Sequence, residues 1–87
     1  MIKEKIINTL GMELLEVTYK NVVANFGYDD DWITLYSIAS SNPNKGEAQE
    51  LLKLVKDKYK HKAFAGTVAL NPTMKHIYKK MDIKEYA

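Results

Sequence analysis

Trp32-Ile-Thr-Leu-Tyr-Ser-Ile38, the polar loop Ser40-Ser-Asn-Pro-Asn-Lys-Gly46, the stripe Ala48, Leu51, Leu52, Val55 and Tyr59, and the run Ala63-Phe-Ala-Gly-Thr-Val-Ala-Leu70 decide the fold of this chain. The first piece is β-branched and aromatic and reads as a strand. The stripe recurs at i, i+3, i+4, i+7 and i+11, the spacing of one helix face, with Lys53, Lys56, Asp57 and Lys60 on the other. The last run is again β-rich. A strand, a helix and a strand over residues 32 to 70 give a connection long enough to cross over, which permits a parallel pair.

Upstream, Leu15, Val17 and Tyr19 alternate with Glu16 and Thr18. Lys20-Asn21 suits a two-residue turn, and Val22, Ala24, Phe26 and Tyr28 alternate in their turn. Asp29-Asp30-Asp31 breaks that strand before Trp32, so three antiparallel strands in a meander are expected. Neighbouring acids in a tight turn seldom converge on one ion, so the triplet reads as turn chemistry and no metal site is assigned. At the start, Ile2, Ile6, Ile7 and Leu10 recur at helical spacing, and Gly11 can close a short helix as its C′ residue. At the end, Asn71-Pro72 stops the second β run. Pro72 suits a first helical turn, and Met74, Ile77, Tyr78 and Met81 form a last helical stripe. The expected order is α-β-β-β-α-β-α. That is an α+β domain with a mixed sheet, occupying all 87 residues.

The length bounds what this domain can hold. A chain this short buries only about 60% of its unfolded surface, which leaves a thin core and sheet edges that a second copy could cover. Cysteine is absent, which removes disulfides, thiolate nucleophiles and cysteine zinc sites. No long apolar run follows Met1, so neither a signal peptide nor a membrane span is expected, and a cytoplasmic location is the simplest expectation. Charge is unevenly placed: residues 1–44 carry three Lys and six acids, residues 45–87 ten Lys and five acids. The basic half suits an anionic ligand. The chain has no arginine, so phosphate contacts would fall to Lys, backbone N–H groups and hydroxyls.

The loop before the central helix has a chemistry of its own. The first N–H groups of a helix lack partners, and the helix dipole adds about half a positive charge there. Gly46 lets an anion approach the backbone, and Lys45 adds a full charge. With these residues in view the chain resembles the GNAT superfamily of N-acetyltransferases. That family's pyrophosphate loop reads Arg/Gln-x-x-Gly-x-Gly/Ala. The aligned residues here are Pro43-Asn44-Lys45-Gly46-Glu47-Ala48, ahead of Leu51-Leu52. The family's later signature is an Asn after the next strand, then a helix with Tyr. Here these are Asn71 and the segment from Ile77-Tyr78 to Tyr86. The resemblance covers roughly residues 12 to 86.

The resemblance implies a splayed central strand pair with acyl-CoA in the gap and acetyl-CoA as the donor. It places the pantetheine arm on the backbone of Ile38 and Ala39. The pyrophosphate falls on the N–H groups of Asn44, Lys45, Gly46, Glu47 and Ala48, with Asn71 bonding the cofactor arm. Tyr78 is implied as the residue that protonates the leaving thiolate, a role open to a phenol of pKa near 10. The implied activity is transfer of an acetyl group to an amine acceptor. Pro43 stands where the family's loop has Arg or Gln, and Asp82-Ile83 where it has Gly-Phe. Only one short helix precedes the first alternating strand, where the family has two helices that shape the acceptor pocket.

Two other readings stand beside this one. A non-catalytic relative could act as a protein-binding regulator or inhibitor, anchored by aromatics among Tyr19, Tyr28, Trp32 and Tyr36. A nucleic-acid binder could use Lys53, Lys56, Lys58, Lys60 and Lys62. The missing arginine and the absence of a recognised nucleic-acid motif count against it. His61 and His76 read as surface residues, since His76 lies two positions from Tyr78 and so faces another way.

Overall fold

Residues Lys3–Thr9 form a strand, which corrects the helix expected there and with it the order α-β-β-β-α-β-α. The computed structural model describes residues 2–41, 46–67, 72–81 and 83–86. In chain order its elements are β1 (Lys3–Thr9), β2 (Met12–Tyr19), β3 (Val22–Tyr28), β4 (Trp32–Ser40), α1 (Glu47–Lys58), β5 (Ala63–Thr67), α2 (Pro72–Met81) and β6 (Lys84–Tyr86). The reason for the correction is local. Leu10 and Gly11 take φ of 51° and 76°, the two positive values of a type I′ hairpin turn. Thr9 then pairs with Met12 and Lys3 with Thr18. A single helix of this length is unstable in water, whereas the β-branched pair Ile6-Ile7 gains a full ladder against β2. Gly11 suited both readings, because a helix C′ position and this turn both ask for positive φ.

The six strands form one mixed sheet in sequence order, β1-β2-β3-β4-β5-β6. β1 to β4 are antiparallel neighbours, and β5 joins β4 in parallel, the pairing that the crossover length permits. β6 pairs in parallel with β5, a strand too short to announce itself in the sequence pattern. The expected turns at Lys20-Asn21 and Asp29-Asp31 are present. Lys20 has φ 52°, and the Asp29 carboxylate accepts the N–H groups of Asp31 and Trp32, both at 2.8 Å.

Strand register fixes which side chains share a face, since alternate residues point oppositely. Leu15, Val17, Tyr19, Val22, Ala24, Phe26, Ile33 and Leu35 lie on one face and form the core with Leu51, Leu52 and Val55 of α1 and Met74, Ile77 and Tyr78 of α2. Phe64 reaches the same face and meets Phe26 edge-on at 6.1 Å between ring centres. Both helices therefore cover one side of the sheet. Among the described residues, nothing helical packs on the other side, and no helix is long and apolar enough to cross a membrane.

Candidate functional site

β4 and β5 run parallel, and ligands in such sheets gather beyond the carboxyl ends of the strands. Several groups meet at that end here. The register between the two strands runs from Trp32–Ala63 to Leu35–Gly66, and β4 continues to Ser40. Along its other edge β4 carries a bulge. Asn25 faces Ser37 but Phe26 faces Leu35, so Tyr36 is the extra residue. A bulge leaves backbone groups out of the ladder and re-aims side chains, and here it puts Tyr36 and Ser37 on the same face.

α1 begins just past this end. Gly46 is its N-cap residue, at φ 74° and ψ 3°, and among the described residues no side chain caps the helix. Gly46 itself has no side chain to offer the N–H groups of the first turn, and a helix start of this kind suits an anion. The turn itself is acidic, and its two carboxylates are held from outside. Glu47 accepts from Asn21 Nδ2 at 3.3 Å, and Glu50 accepts from the Tyr19 hydroxyl at 3.2 Å. Lys20, with its ammonium 5.2 Å from the centre of the Tyr19 ring, is pushed above the ordinary lysine pKa, first by its bond with Tyr19 and then by the charge of Tyr19 and of Glu50. The helix start is thus pinned to the β2–β3 turn.

From Gly46 a groove of about 260 Å³ runs past Gln49 and Glu50 to Lys53 on α1 and to Lys80 and Met81 on α2. It leads into a wider groove of about 610 Å³ that Lys53 and Lys80 share with Lys56, Leu54 and Tyr19. Glu50 and Asp57 also line it, so the groove carries three lysines against two acids. Lys53 and Lys80 come from different helices, and only the tertiary structure brings them to the lining of one groove.

Tyr78 does not stand in the groove. It is buried on α2, its ring lies against Gly66, and its hydroxyl donates to the Thr67 carbonyl at 2.9 Å. Thr67 Oγ1 in turn donates to the Leu35 carbonyl at 3.2 Å. The phenol is therefore coupled to β4 at the residue before the bulge. Of the other expected site residues, Ile38 is half-buried against the core, and Ala39 is exposed on the uncovered face opposite Val23. Glu47 and Ala48 open α1 behind Gly46. Asn44, Lys45 and Asn71, with Pro43 and Asp82, lie outside the described residues. His61 and His76 are exposed, as expected.

Three features were not legible in the sequence: the bulge at Tyr36, the hydroxyl of Thr67 and the groove that Lys53 and Lys80 line together. A bulge has no motif of its own in one sequence, and Lys53 reads as one more solvated lysine until α2 is placed beside α1. The lysine run expected to serve a nucleic acid is partly engaged within the fold. Lys58 pairs with Glu4, Lys62 donates to the Asp29 carbonyl, and Lys56 donates to the Met81 carbonyl at 3.4 Å.

No protein-family model matches the chain, and comparison with curated proteins and with solved structures returns no match.

Proposed function

We propose that the chain binds an acyl-CoA at the carboxyl end of its parallel strand pair and transfers the acetyl group to an amine. The observation that carries this reading is the groove from the uncapped helix start at Gly46 to Lys53 and Lys80. It offers backbone N–H groups and two ammonium groups to a phosphorylated ligand in a chain that has no guanidinium to offer. The acyl-pantetheine arm would follow the backbone of Ile38 and Ala39 toward the bulge. There, a backbone N–H freed from the ladder would hold the oxyanion formed when the amine attacks the thioester carbon. As the C–S bond breaks, the Tyr78 hydroxyl, released from the Thr67 carbonyl, would give its proton to the thiolate, and the amine proton would return through water to the tyrosinate. The resemblance of Gly46-Glu47-Ala48 and Tyr78 to N-acetyltransferase signatures supports the same assignment.

Calorimetric titration with acetyl-CoA tests it. Micromolar binding is expected, weakening at least tenfold in Lys53→Glu and Lys80→Glu and when Gly46 is replaced by Trp. Tyr78→Phe should bind as the parent does, while turnover with a panel of amines falls by about 10²–10⁴. No heat at millimolar acetyl-CoA would end the proposal. Binding without turnover on any amine would remove the transferase half and leave the binding half.

A further inference from the structure

The sheet face turned away from both helices differs in composition from the rest of the surface. By register it carries Met12, Leu14, Val23, Trp32, Tyr36 and Ala39. Val23 is 40% exposed, Met12 45% and Trp32 36%. Charged residues make up 28% of the chain, yet among the described side chains only Lys3, Lys5 and Glu16 share this face, and Lys5 stands directly opposite Glu16. Protein interfaces show this same depletion of charge and enrichment in Trp, Tyr and Met.

We infer that this face is where two copies of the chain associate, sheet against sheet, about a two-fold axis. Three arguments select a second copy. The four long strands have 7, 8, 7 and 9 residues. With β5 and β6 beside them, at about 4.8 Å per strand, they span roughly 600 Å² in projection. Side-chain relief brings that toward the ~800 Å² per partner of a standard stable interface, so the face is large enough for a dimer and has little to spare. A two-fold axis brings a patch against itself, so any net charge on it would repel its image. Here Lys5 and Glu16 offset one another within each copy, and among the described side chains Lys3, on the edge strand β1, is the one charge left over. Finally, stacking two sheets about 10 Å apart would take the exposed Met12, Val23 and Trp32 of a thin domain out of water.

The chain's only tryptophan lies on this face, which gives the inference a direct reporter. Molar mass by sedimentation equilibrium should move from one chain to two as concentration rises through the micromolar range. Trp32 emission should shift to the blue over the same range. Val23→Glu and Ala39→Glu change exposed positions, so each should keep the circular-dichroism spectrum of the parent and raise the dissociation constant at least thirtyfold. Leu10→Asn, at the β1–β2 hairpin tip, should leave it unchanged. A single-chain mass at about 100 µM, a generous ceiling for the dissociation constant of a standard-size interface, would overturn the inference. So would a dimer that persists in folded Val23→Glu, or dimerisation with no change in Trp32 emission.

Discussion

Two glycines separate the cost of a missing Cβ from the cost of crowding. A Cβ on Gly66 would lie 2.5 Å from both Cζ and the hydroxyl of Tyr78; one on Gly27 would lie 2.8 Å from the same atoms of Tyr36. The neighbours differ in freedom. Tyr78 is 5% exposed and bonded to Thr67, whereas Tyr36 is half-buried on the uncovered face and can swing outward. Gly66→Ala should therefore cost about 1–3 kcal/mol, as overpacking does, and Gly27→Ala well under half of that. Urea unfolding of the two variants checks the order. Asp29 gives the residue-scale prediction for pH. Its carboxyl is held below the ordinary aspartate value, first by the N–H of Asp31, then by that of Trp32, with Lys62 adding charge. A depressed pKa in the folded state stabilises above the unfolded value of about 3.9 and stops doing so as pH falls through the folded value. Asp29→Ala should thus be less stable than the parent at pH 7, and the gap in urea midpoint should close as pH drops below about 4.

Among the elements, β1 is the informative one, because its sequence satisfies two periods at once. Ile2, Ile6, Ile7 and Leu10 fit a helix stripe, but Ile6 and Ile7 also fit opposite faces of a strand, opposite Leu15 and Leu14. What decides between them is a partner strand one turn away, which pattern-reading within the segment does not weigh. The hairpin leaves Leu10 at φ 51° and 98% exposed, a poor residue for its place. Asn tolerates that backbone far better, so Leu10→Asn should stabilise the protein by about 1 kcal/mol, read from its thermal or urea midpoint. A loss of stability would mean the turn is not what holds β1. α1 behaved as its stripe predicted: Leu51, Leu52 and Val55 are fully buried, and its lysines face out. The bond from Tyr59 to Glu4 and the Lys58–Glu4 pair then tie its end to β1, the strand farthest from it in sequence.

At the scale of the whole molecule, one side of the sheet carries the core and both helices, and the other side is open. Much of the basic half of the sequence became the helical layer, where Lys53, Lys56 and Lys80 line the grooves beyond Gly46, and among the described side chains the bare face carries only Lys3, Lys5 and Glu16. The groove at Gly46 and the self-association face lie on opposite sides of the sheet, and they meet only along β4, whose Tyr36 and Ala39 turn toward the self-association face. By itself the sequence determined the meander of β2, β3 and β4, the amphipathic α1 and α2, the crossover into a parallel β5, the turns at Lys20 and Asp29, and the glycine before α1. All of these rest on periods, turn residues and connection lengths within a few residues of one another. Only the tertiary structure decided that residues 3–9 are a strand, that 84–86 add a sixth, that Tyr36 bulges, that Tyr78 lies buried against Gly66 with its hydroxyl on Thr67, and that Lys53 and Lys80 line one groove. Each of these depends on a neighbour brought in from elsewhere in the chain, and the energy of pairing or packing with that neighbour outweighs the weak preference of the segment alone.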